Sequence, residues 1–297
     1  MSIIIPTHRP DHFKTALKCA LNQTYANTEI IVSDNSENSE IANICSQHRD
    51  IVYRKNLNGK PHSNIAQPLA LAKGDYIKYL FDDDLIYPHC IDSMIGWLSQ
   101  FSDKNISDVG IIASAKQVID DNSICYDEIC EPNIADPSLI DGNQVIKKAL
   151  IAQRNFIGEF STIMFRRDLI DHQNPESIFT IFGEDFREGL IDVPLYFSIL
   201  QKSDMLYIPY SLSAFRKHAG GGTNVHGNPY FHHVISDWFR LIRAAYRNGL
   251  LNYGETMMAV RCFLRVAKRF SKHFPEQLAE WQDIAVDFVL TLSRKVS

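Results

Sequence analysis

The chain has 297 residues, 45% of them hydrophobic and 22% charged, enough for one large α/β domain or such a domain with a smaller appendage. A formal net charge of −5 gives no reason to expect a nucleic-acid partner, and the six cysteines contain no CxxC pair, so they read as reduced cytosolic thiols, with Cys125 and Cys130 lacking zinc-type spacing. No basic leader precedes "SIIIPT" and no stretch approaches the ~18 apolar residues that cross a bilayer, so the expectation is a soluble or peripheral cytoplasmic protein.

The first half alternates strands and helices. "SIIIP" is a short continuous apolar run closed by a proline, the pattern of a fully buried parallel strand. "DHFKTALKCALNQ" repeats apolar residues at helical spacing, through Phe13, Ala16, Leu17, Ala20 and Leu21. "EIIVSDNS" reads as a second strand ending at Asp34 and Asn35, "SEIANICSQH" as a helix and "IVYRKN" as a third strand. A helix is expected in "SNIAQPLALAKG", with Ser63 or Asn64 near its start, Pro68 shortening or kinking it, and Gly74 past its end. "DYIKYLF" supplies a fourth strand. Strands separated by helices imply a parallel, doubly wound sheet.

Ligands of such sheets bind beyond the carboxyl ends of the strands. The residues there are Thr7, His8 and Arg9; Asp34, Asn35 and Ser36; Lys55 and Asn56; and Asp82, Asp83 and Asp84. Three adjacent carboxylates after a core strand repel one another and call for a cation. Hard oxygen ligands suit a divalent ion, Mg2+ or Mn2+, which commonly brings a phosphate.

"SIIIPTHRP", "EIIVSDNS" and "LALAKGDYIKYLFDDDLIYP" together resemble the nucleotide-sugar-binding half of a family 2 glycosyltransferase, over roughly residues 2 to 225. The resemblance implies a GT-A fold: a Rossmann-like, mostly parallel sheet flanked by helices. It implies that Pro6, Thr7 and Asp34 hold the nucleobase, with Asp34 accepting from a base imide and uracil favoured over guanine or thymine. Arg9 and Asn56 join them on the donor side. It further implies that Asp82 faces the ribose and Asp83 binds the metal, with Asp84 a second candidate because the acidic motif has two overlapping registers here.

The second half supports the likeness. "FIGEFSTIMFRRDLI" resembles the acceptor-side strand of the family, and the stretch from Phe182 through "RKHAGG" resembles its acid-helix-strand-"R-x-H" region. By that resemblance Asp192, at the start of "DVPLYFSILQK", is the first candidate for catalytic base, although an aspartate there also suits helix capping. Asp185 ranks second, in "FGEDFREG", a segment too irregular to place. His218 matches the position lying near the diphosphate or metal, with Arg216 and Lys217 as alternative phosphate partners. The glycines at 220 to 222 do not form a P-loop and suggest a lid. Family resemblance also implies inversion of the anomeric centre.

From about Asn228 the character changes to three helices, separated near Gly249–Tyr253 and at Pro275, which assigns residues 1–225 to the glycosyltransferase domain and 226–297 to a helical appendage. Met257, Met258 and Phe263 read as packing residues. The first two helices are strongly basic, the pattern of a solvated face or of a docking surface for an anionic membrane, a lipid-linked acceptor or a protein. Expected partners are a nucleotide-sugar donor and a glycan or lipid-linked acceptor, in bacterial surface polysaccharide synthesis. Competing readings are a catalytically silent donor- or glycan-binding subunit, and a nucleotidyltransferase, disfavoured because "PTHRPDH" lacks a glycine-rich loop.

Overall fold

A computed structural model describes residues 1–57, 59–101, 108–131, 133–218 and 228–296. The described residues divide into two compact units. The first comprises Met1–Gly142, Ile157–Ile178 and Ser198–His218, and the second Asn143–Phe156, Phe179–Phe197 and the chain after Ala219.

The first unit begins with the expected alternation: β1 (Ser2–Thr7), α1 (Phe13–Leu21), β2 (Glu29–Asp34), α2 (Glu40–Cys45), β3 (Ile51–Lys55), α3 (Pro61–Ala66) and β4 (Tyr76–Tyr79). β1 is buried along its whole length because it pairs in parallel with β2 on one side and β4 on the other. A strand so enclosed needs apolar side chains on both faces, which accounts for the uninterrupted "SIIIP". Among the described residues β3 pairs only with β2, and it alternates between half-buried and exposed residues, as an edge strand does. At Gly74 a Cβ would lie 2.6 Å from the Met1 backbone, so glycine is what lets the chain enter β4 tight against the start of β1.

α3 differs from expectation. It opens two residues before Ser63, with Pro61 in its first turn, where a missing N–H costs nothing. Ser63 and Asn64 are interior and buried, and their side chains make tertiary bonds instead of a cap. Pro68 ends the α-helix as expected, and Gln67–Leu71 continues as a 3-10 turn.

The chain continues through β5 (Leu85–Ile86), α4 (Cys90–Gln100), β6 (Val109–Ile119), β7 (Cys125–Ile129), β8 (Ser138–Ile140), α5 (Gly142–Ala152), β9 (Ile163–Arg166), β10 (Thr180–Ile181), β11 (Glu184–Asp185), α6 (Val193–Leu200) and β12 (Asp204–Arg216). The main sheet has the order β3-β2-β1-β4-β9-β6-β12-β5, with β7 beside β6 and β8 beside β12. The four leading strands are parallel; beyond them β9 runs antiparallel to both β4 and β6, and the pairing is mixed. The core under the parallel half is built from β1, β2, α1 and α4, through residues such as Ile3, Phe13, Leu17, Val32 and Met94.

The second unit contains α7 (Phe231–Arg247), α8 (Tyr253–Phe270) and α9 (Pro275–Val296), at the expected breaks. A reciprocal cap opens α8: the Glu255 amide donates to Asn252 Oδ1 (2.9 Å), and the Asn252 amide to Glu255 Oε2 (2.8 Å). Phe239 stacks on Phe263 with ring centroids 4.9 Å apart, and Trp281 and Phe288 meet Phe239 edge-on. Phe263 is therefore a packing residue as expected. Met258 is not: it is 56% exposed, because it lies off the face that α8 buries.

Candidate functional site

The switch in strand order lies between β1 and its neighbours. β1 leads to β2 on one side, while β4 lies on the other, so the ends of β1 and β4 open a crevice at the carboxyl edge of the parallel strands. Thr7, the last residue of β1, is 1% exposed and its hydroxyl donates to Asp82 Oδ2 at 2.7 Å. The His8 amide approaches the same oxygen at 3.3 Å. Asn64 fixes the backbone here: its Nδ2 donates to the Thr7 carbonyl (2.9 Å), and its Oδ1 accepts from the buried Ser33 hydroxyl (2.7 Å). Asn64 thus ties α3 to both β1 and β2. Burial and the neighbouring Asp83 push the Asp82 carboxyl up, against the pull of the Thr7 hydroxyl.

Asp34 ends β2 with no exposed surface. Its Oδ1 accepts from the Ser36 amide (2.7 Å), and its Oδ2 from the Tyr53 hydroxyl (2.7 Å) and Lys55 Nζ (3.2 Å). Burial alone would raise this carboxyl, but those donors hold it below the ordinary aspartate value. Both oxygens have protein partners, Oδ1 one and Oδ2 two, and Oδ1 keeps a lone pair for a further donor such as a nucleobase imide. Pro6 is buried within β1. The Asn56 amide donates to the Asp34 carbonyl (2.7 Å) and its side chain reaches the Lys60 carbonyl (3.3 Å).

Asp83 faces the end of β12. Its Oδ2 lies 2.9 Å from His218 Nε2, and Arg9 Nη2 comes within 3.4 Å of that same nitrogen. An Nε2 that donates its proton to Asp83 cannot accept from Arg9, so Arg9 adds positive charge there without a hydrogen bond. Asp84 is set apart. It is 1% exposed, its Oδ1 accepts from the Arg216 amide at 2.9 Å, and its Oδ2 is buried without a hydrogen bond. Burial, with Asp83 beside it, pushes Asp84 up to about 7.

Arg216 is not available to a phosphate. It is buried, with Nε donating to the Asp83 carbonyl (2.7 Å), Nη2 to Ser123 Oγ (3.0 Å) and Nη1 to the Asp120 carbonyl. The sequence offers it only as an alternative phosphate partner, a reading that a surface arginine and a buried clamp share in one dimension. Two further cations escaped that reading altogether. Lys78 in β4 is fully buried, donates to the carbonyls of Ser161 (3.0 Å) and Ile163 (3.2 Å), and burial lowers its pKa. Lys116 in β6 pairs with Glu159 and lies 5.6 Å from the Phe215 ring. Part of the charge balance for the aspartates is thus internal, since Lys78 and Lys116 both act on Asp84.

Among the described residues no group of three or more His, Cys, Asp or Glu side chains could hold a metal ion. Asp83 Oδ2 and His218 Nε2 converge at 2.9 Å, however, and Asp84 Oδ2 is a buried acceptor with no bond. The Asp83 carboxylate is the hard oxygen donor with which Mg2+ or its like joins a diphosphate, and His218 Nε2 can be a second ligand only when it turns a lone pair, not its proton, to the ion. The residues fit a divalent ion bound together with a nucleotide.

The two base candidates belong to the second unit. Asp192 directly precedes α6; its Oδ1 accepts from the Val193 amide (2.9 Å) and its Oδ2 from Asn155 Nδ2 (2.8 Å). The carboxylate is held by hydrogen bonds, though the Val193 amide is the first of the helix and not the second or third that an N-cap engages, and Asn155 had no sequence signal. Asp185 lies on the β10–β11 hairpin. Its two-residue turn, Phe182 (φ 54°) and Gly183 (φ 78°), needs left-handed backbone at both positions. Asp185 is locked to Arg187, with Nε 2.8 Å and Nη2 2.6 Å from Oδ2. Partial burial pulls its pKa upward, but Arg187 outweighs it and holds the carboxyl low. The glycines at 220–222 lie outside the described residues. Among those residues, no helix is long and apolar enough to cross a membrane.

The sequence model described as glycosyl transferase family 2 matches residues 2–172. A protein of Rickettsia typhi named as an uncharacterized glycosyltransferase is 32% identical over 125 residues, 41% of this chain and 38% of that protein. A Rickettsia bellii protein of the same description is 34% identical over 126 residues, 41% of this chain and 18% of that one. The aligned part therefore spans well under half of these relatives. Among solved structures, S. aureus TarS 1–349 in complex with UDP-GlcNAc gives a TM-score of 0.61 at 11% identity, covering 99% of this chain and 90% of that one. At that identity the likeness is one of fold.

Proposed function

The chain belongs to glycosyl transferase family 2, and from that premise we propose that it moves a sugar from a nucleoside diphosphate to an acceptor hydroxyl, inverting the anomeric carbon. UDP is the favoured carrier. The acceptor is a glycan or a lipid-linked glycan, in the setting of bacterial surface polysaccharide synthesis at the cytoplasmic face of the membrane. One observation carries this reading: Thr7 bonds Asp82, and Asp83 bonds His218, which meets Arg9. All lie at the carboxyl edge of a parallel sheet, where such sheets take ligands.

In this reading Pro6, Thr7, Asp34 and Asn56 form the base side of the donor site, and Asp82 takes the ribose hydroxyls. Asp83 and His218 hold the divalent ion, Mn2+ or Mg2+, with Asp84 behind them. When bound, that ion acts as a Lewis acid on the departing diphosphate. Arg9, half-buried beside His218, adds fixed positive charge toward the same phosphate oxygens. Asp192 is the base. Asn155 and the Val193 amide orient its carboxylate and leave lone pairs for an acceptor hydroxyl. The acceptor oxygen bonds to the anomeric carbon as the bond to the diphosphate oxygen breaks on the opposite face, and the hydroxyl proton passes to Asp192. Asp185 ranks second because its carboxylate is already bidentate to Arg187.

The test is thermal unfolding with UDP, GDP, dTDP and CDP, each with and without Mn2+, on the wild type and on Asp83→Ala. A nucleotide at ~100 times its Kd stabilises by about 2.7 kcal/mol, or roughly 5 °C for a chain of this size. The expected result is such a shift with UDP that requires both Mn2+ and Asp83. If no nucleotide shifts the transition, the proposal fails.

A further inference from the structure

The outward faces of α8 and α9 carry segregated charge. On α8, Arg261, Arg265 and Lys268 are exposed, and Lys272 follows in the next turn. These positions are spaced by four, three and four residues in sequence; the three within α8 share one face of the helix, and Lys272 lies in the turn after it. That face is opposite the one that buries Thr256, Val260, Phe263 and Ala267. On α9, Glu276, Glu280, Asp283 and Asp287 are exposed with the same four, three, four spacing. They in turn oppose the face that buries Leu278 and Ala285. At the rise of an α-helix the acidic stripe is about 16 Å long and the part of the basic stripe within α8 about 10 Å.

A face that only meets water gains from mixing its signs, because opposite charges one turn apart attract and like charges repel. Here every neighbour within a stripe is a like charge. Helix dipoles excuse Lys268 at the end of α8 and Glu276 at the start of α9, but not Arg261, Arg265, Asp283 or Asp287. Among the described residues none of the eight side chains makes an ion pair or hydrogen bond. Exposed apolar side chains flank both stripes: Met258 (56% exposed) beside Arg261, and Val286 (47%) and Leu290 (50%) one turn from Asp283 and Asp287.

We infer that α8 and α9 form a self-association surface, on which the basic stripe of one copy of this chain docks on the acidic stripe of a second, with Met258, Val286 and Leu290 at its margins. The spacing reads the same in both directions, so the stripes match whether the facing helices run parallel or antiparallel, and a two-fold axis admits both. Such an interface is isologous: each copy gives one stripe of each sign. It is also salt-labile, because the pairs lie at the surface. This inference is independent of the transferase reading.

Sedimentation velocity on the full chain tests it, at about 0.05 M and about 0.5 M salt. Two charge-reversed variants are compared with the wild type, Arg265→Glu/Lys268→Glu and Glu280→Lys/Asp283→Lys. All four positions are exposed, and circular dichroism checks that each variant is folded. The wild type should form dimers at low salt that dissociate at high salt. Each variant alone should have a dissociation constant raised at least ~100-fold, since both symmetry-related contacts are lost. An equimolar mixture of the two variants should restore the dimer, because their stripes are complementary to each other. A wild type that stays monomeric at low salt overturns the proposal, as does a variant that associates like the wild type. A monomer that instead sediments with phosphatidylglycerol vesicles through Arg265 and Lys268 also overturns it, in favour of a membrane surface.

Discussion

Arg216→Lys separates a structural clamp from a ligand contact. The guanidinium makes three side-chain bonds from a buried position, to the Asp83 carbonyl (2.7 Å), to Ser123 Oγ (3.0 Å) and to the Asp120 carbonyl. A lysine keeps the charge but presents one ammonium on an unforked stem, which can reach about one of these acceptors. Two charge-assisted bonds disappear, at about 1.5–3 kcal/mol each, and one buried carbonyl is left without a donor. The expected loss is about 3–5 kcal/mol, read from urea unfolding followed by circular dichroism. Donor affinity should fall as well, because the Asp83 backbone loses its anchor. If stability instead falls by less than ~1 kcal/mol while nucleotide affinity collapses, the guanidinium meets phosphate and the clamp argument is wrong.

Two further outcomes follow from the carboxylates. Asp192→Asn should lower kcat by roughly 10²–10⁴-fold with donor affinity unchanged, whereas Asp185→Asn should cost less than about tenfold; steady-state kinetics and calorimetric donor binding decide, and the reverse ranking would move the base to the hairpin. Asp34 has a folded pKa below its unfolded value near 3.9, so its contribution to stability is complete above that value and is lost as pH falls through the folded pKa. The stability gap between the wild type and Asp34→Asn should therefore be full at neutral pH and shrink on acidification below about pH 4, as measured by urea unfolding at each pH.

The parallel half of the fold was legible because enclosure on both faces leaves a local mark: β1, β2 and β4 are largely apolar runs, and Thr7, Asp34 and Asp82 stand at or just past their ends. The mixed half was not, because the direction of β9 between β4 and β6 depends on partners that no periodicity encodes. α3 was displaced for a similar reason. Ser63 and Asn64 have cap chemistry, yet they spend it on Glu176 and on the β1 backbone. "FGEDFREG" could not be placed because its hairpin turn sets Phe182, rather than the usual asparagine or glycine, at φ 54°. Within the site, the aspartates were visible as an anomaly in the chain. Their internal counter-charges were not, since Lys78 is a lone polar residue in an apolar strand and Arg216 bonds to groups nearly a hundred or more positions away.

Those long separations bear on the order in which the site is assembled. Asp84 receives its backbone donor from a residue 132 positions later, and Asp83 meets its imidazole 135 positions later. A chain emerging from the ribosome can therefore complete β1 to β4 while its carboxylates still face water, uncrossed by any downstream strand. The Asp83 and Asp84 contacts are complete only with the end of β12, well after the stretch 2–172 that carries the family signature. A nascent chain halted at that boundary would hold the recognisable sequence of the family with its acidic loop still unlatched.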